Sequence, residues 1–169
     1  MDSEPLVTPA PLLGLVTESA TEFREALGDG GALLALDLGT RTIGVATCDA
    51  RWTFATAGKT LERGKFTRDR ALIEALCAER RVVGIVIGLP LNMDGTSGPR
   101  AQASRAYAKN LAVSGRPILL WDERWSTSAA ERDMIAQDFS RAKRATRIDS
   151  HAAAVILQGA IDRLAGGMF

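Results

Sequence analysis

Three acidic residues from distant parts of the chain could share one site: Asp37, Glu123 and Asp149. Asp37 is the single acid inside the apolar segment 33–38, so it lies near the end of a strand that we predict to be buried on both faces. An unpaired carboxylate is unfavourable in such a place, and it is normally hydrogen-bonded or bound to a cation. The alternative is a local role, in which Asp37 accepts hydrogen bonds from the amides of the turn at Gly39–Thr40.

Glu123 follows a predicted strand over residues 117–121 and stands between Asp122 and Arg124. Parallel strands end at the same edge of a sheet, so we expect Glu123 at the edge that carries Asp37. Its strand should lie two positions from that of Asp37, roughly 10 Å at the usual strand spacing. The approach of the two acids therefore depends on sheet twist and on the long glutamate side chain. An ion pair with Arg124 is the alternative role of Glu123, and Asp122 is the alternative ligand at this strand end.

Asp149 opens the predicted last helix, which spans residues 148–164. Residues 149, 153, 156, 160 and 164 form one stripe of this helix, and its apolar members are expected to pack on the sheet. This packing would carry Asp149 inward. The alternative is a capping role, because Thr146 and Asp149 have the spacing of a capping box and an acid in the first turn complements the helix dipole.

Three carboxylates in one place repel one another unless cations lie between them. Hard oxygen ligands suit Mg²⁺ or Mn²⁺, so we predict one of these ions as the cofactor. Two such ions about 4 Å apart can activate a water molecule and stabilise the leaving oxygen of a phosphodiester. The chemistry that the three acids indicate is therefore phosphodiester hydrolysis.

The elements that must position these acids follow in the order βββαβαβαα. The predicted strands span residues 33–38, 43–48, 51–60, 82–87 and 117–121, and the predicted helices span residues 66–79, 99–113, 128–137 and 148–164. Fully apolar strands that alternate with amphipathic helices are typical of right-handed crossovers in a parallel sheet. The pattern predicts an α/β fold with a mixed five-stranded sheet in the order 3-2-1-4-5 and helices on both faces.

The composition is that of one soluble domain, with 46% hydrophobic and 24% charged residues in a chain of 169. We predict a folded domain over residues 31–169, preceded by a flexible N-terminal extension over residues 1–30. The extension contains three prolines and ends in a glycine-rich joint, although residues 17–27 could form a short helix.

The N-terminus and the two cysteines predict a cytoplasmic protein. The chain begins Met-Asp-Ser-Glu, which is acidic where a signal peptide is basic, and no apolar segment is long enough to span a membrane. Cys48 and Cys77 lack the spacing of a metal site or a redox motif, so we expect them to be reduced, buried thiols.

Two basic stretches indicate nucleic acid as the partner, although the net charge of the chain is only +1. Residues 95–121 contain four basic residues and no acid, and residues 139–148 contain four more. The glycine-rich loop 92–98 could donate backbone amides to phosphate. A solvated surface is the alternative for either stretch. We assign nucleic-acid contacts to Thr40, Arg41, Asn92, Arg100, Arg124, Arg141, Lys143 and Arg144.

Four motifs in this order closely resemble the YqgF family, also called the RuvX or Holliday-junction-resolvase-like family. They are Leu-Asp-Leu-Gly-Thr-Arg-Thr-Ile-Gly-Val-Ala, Ile-Gly-Leu-Pro-Leu-Asn-Met-Asp-Gly, Asp-Glu-Arg-Trp-Ser-Thr and Ile-Asp-Ser-His-Ala-Ala-Ala. The resemblance spans residues 32–164. It implies an RNase H-like fold and a nuclease that trims the 5′ end of pre-16S ribosomal RNA in the bacterial cytoplasm.

The family's acids fall on Asp37, Glu123 and Asp149 of this chain. Many RNase H-like nucleases carry a further acid at the end of the fourth strand, where this chain and the family it resembles have Gly88-Leu89-Pro90. This difference leaves the metal site without one of the usual ligands.

Three other functions fit parts of the sequence. Cleavage of branched DNA, as by a Holliday junction resolvase, would use the same acids. A non-catalytic nucleic-acid or transcription-complex binding protein would keep them as structural residues. The sequence Asp-Leu-Gly-Thr also resembles the first phosphate loop of actin-like ATPases, but those proteins need two such domains and this chain has one. The sequence is compatible with a monomer or a homodimer.

Overall fold

The computed structural model of the chain describes residues 14–125 and 150–166 in full, and residues 141–149 as helical backbone. Its centre is a seven-stranded sheet in the order β1-β7-β6-β2-β3-β4, with β5 also paired to β3. The strands are β1 (Val16–Thr17), β2 (Ala32–Leu38), β3 (Thr42–Cys48), β4 (Ala55–Ala57), β5 (Leu61–Glu62), β6 (Val82–Leu89) and β7 (Ile118–Asp122). Strand β2 is central, antiparallel to β3 and parallel to β6, and β7 is parallel to both β6 and β1. The predicted order is confirmed, with two short strands more than the five predicted.

Four α-helices in the described part of the chain cover the sheet: α1 (Ala20–Leu27), α2 (Phe66–Arg80), α3 (Pro99–Leu111) and α4 (Arg141–Gly166). Along β2, Leu34, Leu36 and Leu38 pack in one core with residues of α2 and α3, which we call the α3 face. Leu33 and Ala35 pack in a second core with residues of α1 and α4, the α4 face. The prediction of helices on both faces is confirmed. None of the described helices is long and apolar enough to cross a membrane.

The third predicted strand, residues 51–60, is shortened to β4, and the separate short strand β5 follows it. Trp52 adopts a left-handed backbone conformation with φ of 56°, which is rare for a bulky residue outside a turn. Its indole Nε1 donates a hydrogen bond of 2.8 Å to the carbonyl oxygen of Gly31. This contact bends the chain before Ala55, so the strand begins four residues later than predicted. Leu61 and Glu62 then pair with Ile43 and Thr42 of β3.

Strand β1 and helix α1 lie within the segment that the sequence analysis assigned to a flexible extension. Val16 pairs with Ile118 of β7, which adds an edge strand to the sheet. Phe23 of α1 is fully buried, and a Cβ built on Gly84 of β6 would lie 2.8 Å from its Cζ. The helix therefore docks where β6 has no side chain. Residues 1–13 are outside the described part of the chain.

The substitution Phe23→Ala is expected to lower the free energy of unfolding by about 3 to 5 kcal/mol, because it removes a buried aromatic ring and leaves a cavity. Urea unfolding followed by circular dichroism measures the change. The control is Phe54→Ala, at a side chain that is 72% exposed, which should change the free energy by less than about 0.5 kcal/mol. Equal effects of the two substitutions would show that α1 does not contribute to the core.

Helix α4 begins at Arg141, seven residues before the predicted start at residue 148. The added residues, Arg-Ala-Lys-Arg-Ala-Thr-Arg, are mostly good helix formers, and they continue the helix toward its N-terminus. Asp149 therefore lies inside the helix and not in its first turn, so the capping role considered for it is wrong. The helix predicted over residues 128–137 lies outside the described residues.

Both cysteines are free and buried, as predicted, with Cys48 on β3 and Cys77 on α2. Burial raises the pKa of each thiol to about 11. Both are therefore protonated at neutral pH and poor nucleophiles in the folded protein.

Candidate active site

Asp37 is the penultimate residue of β2, at the carboxyl edge of the sheet. Its neighbours Leu36 and Leu38 pack on the α3 face, whereas Ala35 packs on the α4 face. Side chains alternate along a strand, so Asp37 belongs to the α4 face. It is half-buried and lies opposite Gly44 of β3. The strand therefore holds this carboxylate in a fixed position at the end of the core.

Glu123 reaches toward Asp37 across the intervening strand. A Cβ built on Gly88 of β6 would meet Glu123 Oε1, would lie 3.2 Å from Glu123 Cδ, and would lie 2.7 Å from Cδ1 of Ile156 on α4. Leu36 pairs with Ile87, so the next residues along the two strands are Asp37 and Gly88. The carboxylate of Glu123 thus occupies the space that a side chain at Gly88 would fill. The two acids are brought to one face of one edge because the penultimate residue of β6, Gly88, has no side chain.

Asp122, the alternative to Glu123, is engaged elsewhere. It is 6% exposed and accepts hydrogen bonds from the backbone N of Arg124 at 3.0 Å and from its Nη2 at 2.7 Å. These hydrogen bonds, first of all those from the guanidinium, hold the pKa of Asp122 below its usual value. Leu120 packs on the α3 face, so strand alternation also assigns Asp122 to that face. Of the two neighbouring acids, Glu123 is the one on the side of Asp37.

The backbone of α4 brings Asp149 to the same edge. Ser150 Oγ and Thr60 Oγ1 are 2.5 Å apart. Thr60 directly precedes β5, which pairs with the first two residues of β3 beside the end of β2. The described members of the predicted stripe are buried, which confirms its packing on the sheet: Ala153, Ile156, Ala160 and Leu164. The side chain of Asp149 is outside the described part of the chain.

The acids at this edge are hard oxygen donors, and they suit Mg²⁺ or Mn²⁺ better than a softer metal. The described side chains alone include no group of three or more His, Cys, Asp or Glu residues that could hold a metal. Asp37 and Glu123 lie on one face of this edge, and the helical backbone at Asp149 lies at the same edge. The donor chemistry of Asp37 and Glu123 fits a divalent cation.

The loop 92–98 is held against this edge by its own hydrogen bonds and by Arg124. Asn92 N donates to Thr96 O at 3.0 Å, and Asn92 Nδ2 donates to Thr96 Oγ1 at 2.9 Å. Arg124 Nη1 donates to the carbonyl oxygen of Met93 at 3.1 Å. Asn92 and Arg124, which the sequence analysis assigned to nucleic acid, therefore also fix the conformation of the loop. Met93 lies at its surface with 89% of its area exposed.

Three of the other predicted nucleic-acid contacts lie in the described part of the chain. Thr40 and Arg41 are exposed at the β2–β3 turn, and Arg100 is exposed in the first turn of α3. Thr40 and Arg100 line one cavity together with Arg63. Sequence reasoning missed Arg63, because residues 62–70 gave only the pattern of a charged loop. The side chains of Arg141, Lys143 and Arg144 are outside the described residues.

Comparison with known proteins places the chain in a family. Residues 31–163 match the family model for RuvX, described as a Holliday junction resolvase. The chain belongs to the RuvX family. A relative from Novosphingobium aromaticivorans, named "Putative pre-16S rRNA nuclease", is 67% identical, with 92% of this chain and 100% of the relative covered. A relative of the same name from Sphingopyxis alaskensis is 60% identical, with 89% and 99% covered.

Among solved structures, this RuvX-family chain is similar to Thermus thermophilus RuvC. RuvC in complex with a Holliday junction substrate matches with a TM-score of 0.53 and 13% sequence identity, covering 81% of this chain and 96% of RuvC. A second RuvC structure matches with a TM-score of 0.52 and 12% identity, covering 80% and 96%. At such identity the similarity is one of fold. The predicted RNase H-like fold is confirmed.

Proposed function

We propose that this RuvX-family protein is a nuclease that hydrolyses phosphodiester bonds, acting in the cytoplasm on the 5′ end of pre-16S ribosomal RNA. The observation that supports the proposal is the position of the Glu123 carboxylate against Gly88, on the face of the sheet edge to which Asp37 belongs. The names of the relatives, which are more than half identical over most of the chain, support the choice of substrate.

In this proposal Asp37, Glu123 and Asp149 are the catalytic acids and together hold Mg²⁺ or Mn²⁺. The bound ions supply an activated water and stabilise the charge on the leaving oxygen. Asp37 is fixed by a central strand, and the carboxylate of Glu123 lies against Gly88. Carboxylates that are rigidly held in this way need no reorganisation before the reaction.

The basic and polar residues around the edge hold the nucleic acid. Arg41 in the β2–β3 turn and Arg100 in the first turn of α3 are exposed, so they can contact phosphates without being buried. Such contacts fix the position of the nucleic-acid strand but do not distinguish one base sequence from another. The whole proposed set is Thr40, Arg41, Asn92, Arg100, Arg124, Arg141, Lys143 and Arg144.

Removal of divalent ions tests the proposal directly. We expect the purified protein to cleave an RNA that spans the 5′ end of 16S rRNA, to lose this activity in excess EDTA, and to regain it when Mg²⁺ or Mn²⁺ is added in excess. Gel analysis of end-labelled RNA measures the rate and the cleavage position. Activity that persists unchanged in EDTA would contradict a metal-dependent site.

A four-way DNA junction in the same assay separates the second candidate from the first. The family description and the fold of RuvC favour branched DNA as that second candidate. Cleavage of the junction at a higher kcat/KM than the RNA would favour a resolvase. Binding of either substrate without cleavage, in Mg²⁺ and in Mn²⁺, would instead indicate a non-catalytic nucleic-acid binding protein.

A further inference from the structure

A small cavity of about 210 Å³ opens next to the carboxylate edge, on the α3 face of the sheet. It begins at Leu38, the residue after Asp37, and its polar lining consists of Thr40, Arg63, Arg100 and Ser104. The described residues that line it include no acid. The cavity is therefore electropositive. It lies on the opposite face of the sheet from the carboxylates, with one strand between them.

Arg63 is held in place but keeps most of its donors. Its Nη1 donates a hydrogen bond of 2.6 Å to the carbonyl oxygen of Gly39, and its guanidinium lies 5.4 Å from the ring centroid of Tyr107. A guanidinium has five N–H donors, so the others remain available for an anion. Within the described part of the chain, neither Arg63 nor Arg100 forms an ion pair. Among the described residues, no carboxylate therefore neutralises this pair of charges.

The N-terminus of α3 forms the opposite wall. Pro99 occupies its first turn, and no described side chain caps the helix at Gly98. Backbone N–H groups in the first turn of a helix lack partners within the helix, and with the helix dipole they favour an anion. Ser104, one turn further along, is 4% exposed and lines the cavity. A buried hydroxyl and a helix terminus thus add donors to the two arginines.

We propose that this cavity binds one phosphate of the nucleic-acid backbone, and that this phosphate is not the one that is cleaved. The inference rests on the proposed function and specifies how its substrate is held. The reacting phosphate must lie with Asp37 and Glu123 on the α4 face, whereas the cavity opens on the α3 face. A nucleic-acid strand that crosses the sheet edge between Gly39 and α3 would contact both the cavity and the carboxylates. Anchoring a neighbouring phosphate fixes which phosphodiester meets the carboxylates.

The test is a series of RNA oligonucleotides, each with a single neutral methylphosphonate linkage at a different position. Affinity is measured by fluorescence anisotropy in EDTA, so that binding is read without cleavage. For the wild-type protein, one linkage should lower affinity about tenfold because it removes a charge-assisted contact. Arg100→Ala and Arg63→Gln should each lower affinity for unmodified RNA and lose nothing further at that linkage.

The matched control is Lys109→Ala, which removes an exposed charge at the other end of α3. This variant should keep the full sensitivity to the same linkage. The proposal would be overturned if, at every linkage, the methylphosphonate lowered the RNA affinity of Arg100→Ala as much as it lowers that of the wild-type protein. It would also be overturned if the variants lost affinity for inorganic phosphate but bound RNA normally. Loss of linkage sensitivity in these variants supports the cavity even if no metal ion restores cleavage, an outcome that would count only against the proposed nuclease.

Discussion

Replacing Asp37 with Asn should lower the rate of RNA cleavage by at least about a hundredfold while leaving RNA affinity nearly unchanged. Asparagine has the shape of aspartate but no charge, so it weakens the hold on a divalent cation without disturbing β2. The proposed phosphate contacts are made by other residues, which the substitution leaves in place. Single-turnover cleavage in Mg²⁺ and equilibrium binding in EDTA measure the two properties separately.

The control for Asp37→Asn is Asp49→Asn. Asp49 is an exposed acid just beyond the end of β3, at the opposite edge of the sheet, where it lines a different cavity. Its replacement should change neither rate nor affinity. Equal cleavage by both variants would show that Asp37 takes no part in the reaction. A parallel loss of binding and cleavage in Asp37→Asn would show that its role is structural. The free energy of unfolding of Asp37→Asn should not fall, since crowded active-site carboxylates destabilise the folded state.

The central strands could be predicted from the sequence because their patterns are local. Residues 33–38 and 82–87 are runs of apolar residues bounded by turn signals, and they became β2 and β6. Their order in the sheet followed from the crossover helices between them. Strand β1 has only two residues, Val16–Thr17, and no periodicity can be read from so short a segment. Its pairing depends on β7, a hundred residues later in the chain.

The position of Asp37 could be predicted because it depends on one strand. The positions of Glu123 and Arg63 could not, because they depend on contacts between separate elements. Asp37 stands out in the sequence because it interrupts an apolar run. The reach of Glu123 depends on the missing side chain of Gly88, and the two residues are distant in the sequence. Arg63 is placed by the carbonyl oxygen of Gly39 and the ring of Tyr107, and neither contact leaves a signal in the residues around it.

Replacing Gly88 with Ala should lower cleavage by about a hundredfold, because even a displacement of about 1 Å in a catalytic group can cost that much. The new Cβ would occupy the position of the Glu123 carboxylate and force it away from Asp37. Gly88 does not have a positive φ, so its backbone accepts alanine. The atoms that the Cβ would meet are the ends of two side chains, Glu123 and Ile156, so the fold should be retained. Single-turnover cleavage and thermal unfolding of the same sample check both expectations.

The matched control is Gly84→Ala. This substitution adds the same methyl group to the same face of β6, four residues before Gly88 and away from the site. Its Cβ would lie 2.7 Å from Cδ2 of Leu27 and 2.8 Å from Cζ of Phe23, so it should disturb α1 and lower stability without reducing the activity of the folded protein. If Gly88→Ala acts through Glu123, adding Glu123→Gln should cause little further loss, because both substitutions remove one interaction. Full activity in Gly88→Ala would mean that the position of the Glu123 carboxylate against Gly88 does not matter for cleavage. The same conclusion would follow if the losses in cleavage rate from Gly88→Ala and Glu123→Gln multiplied in the double variant.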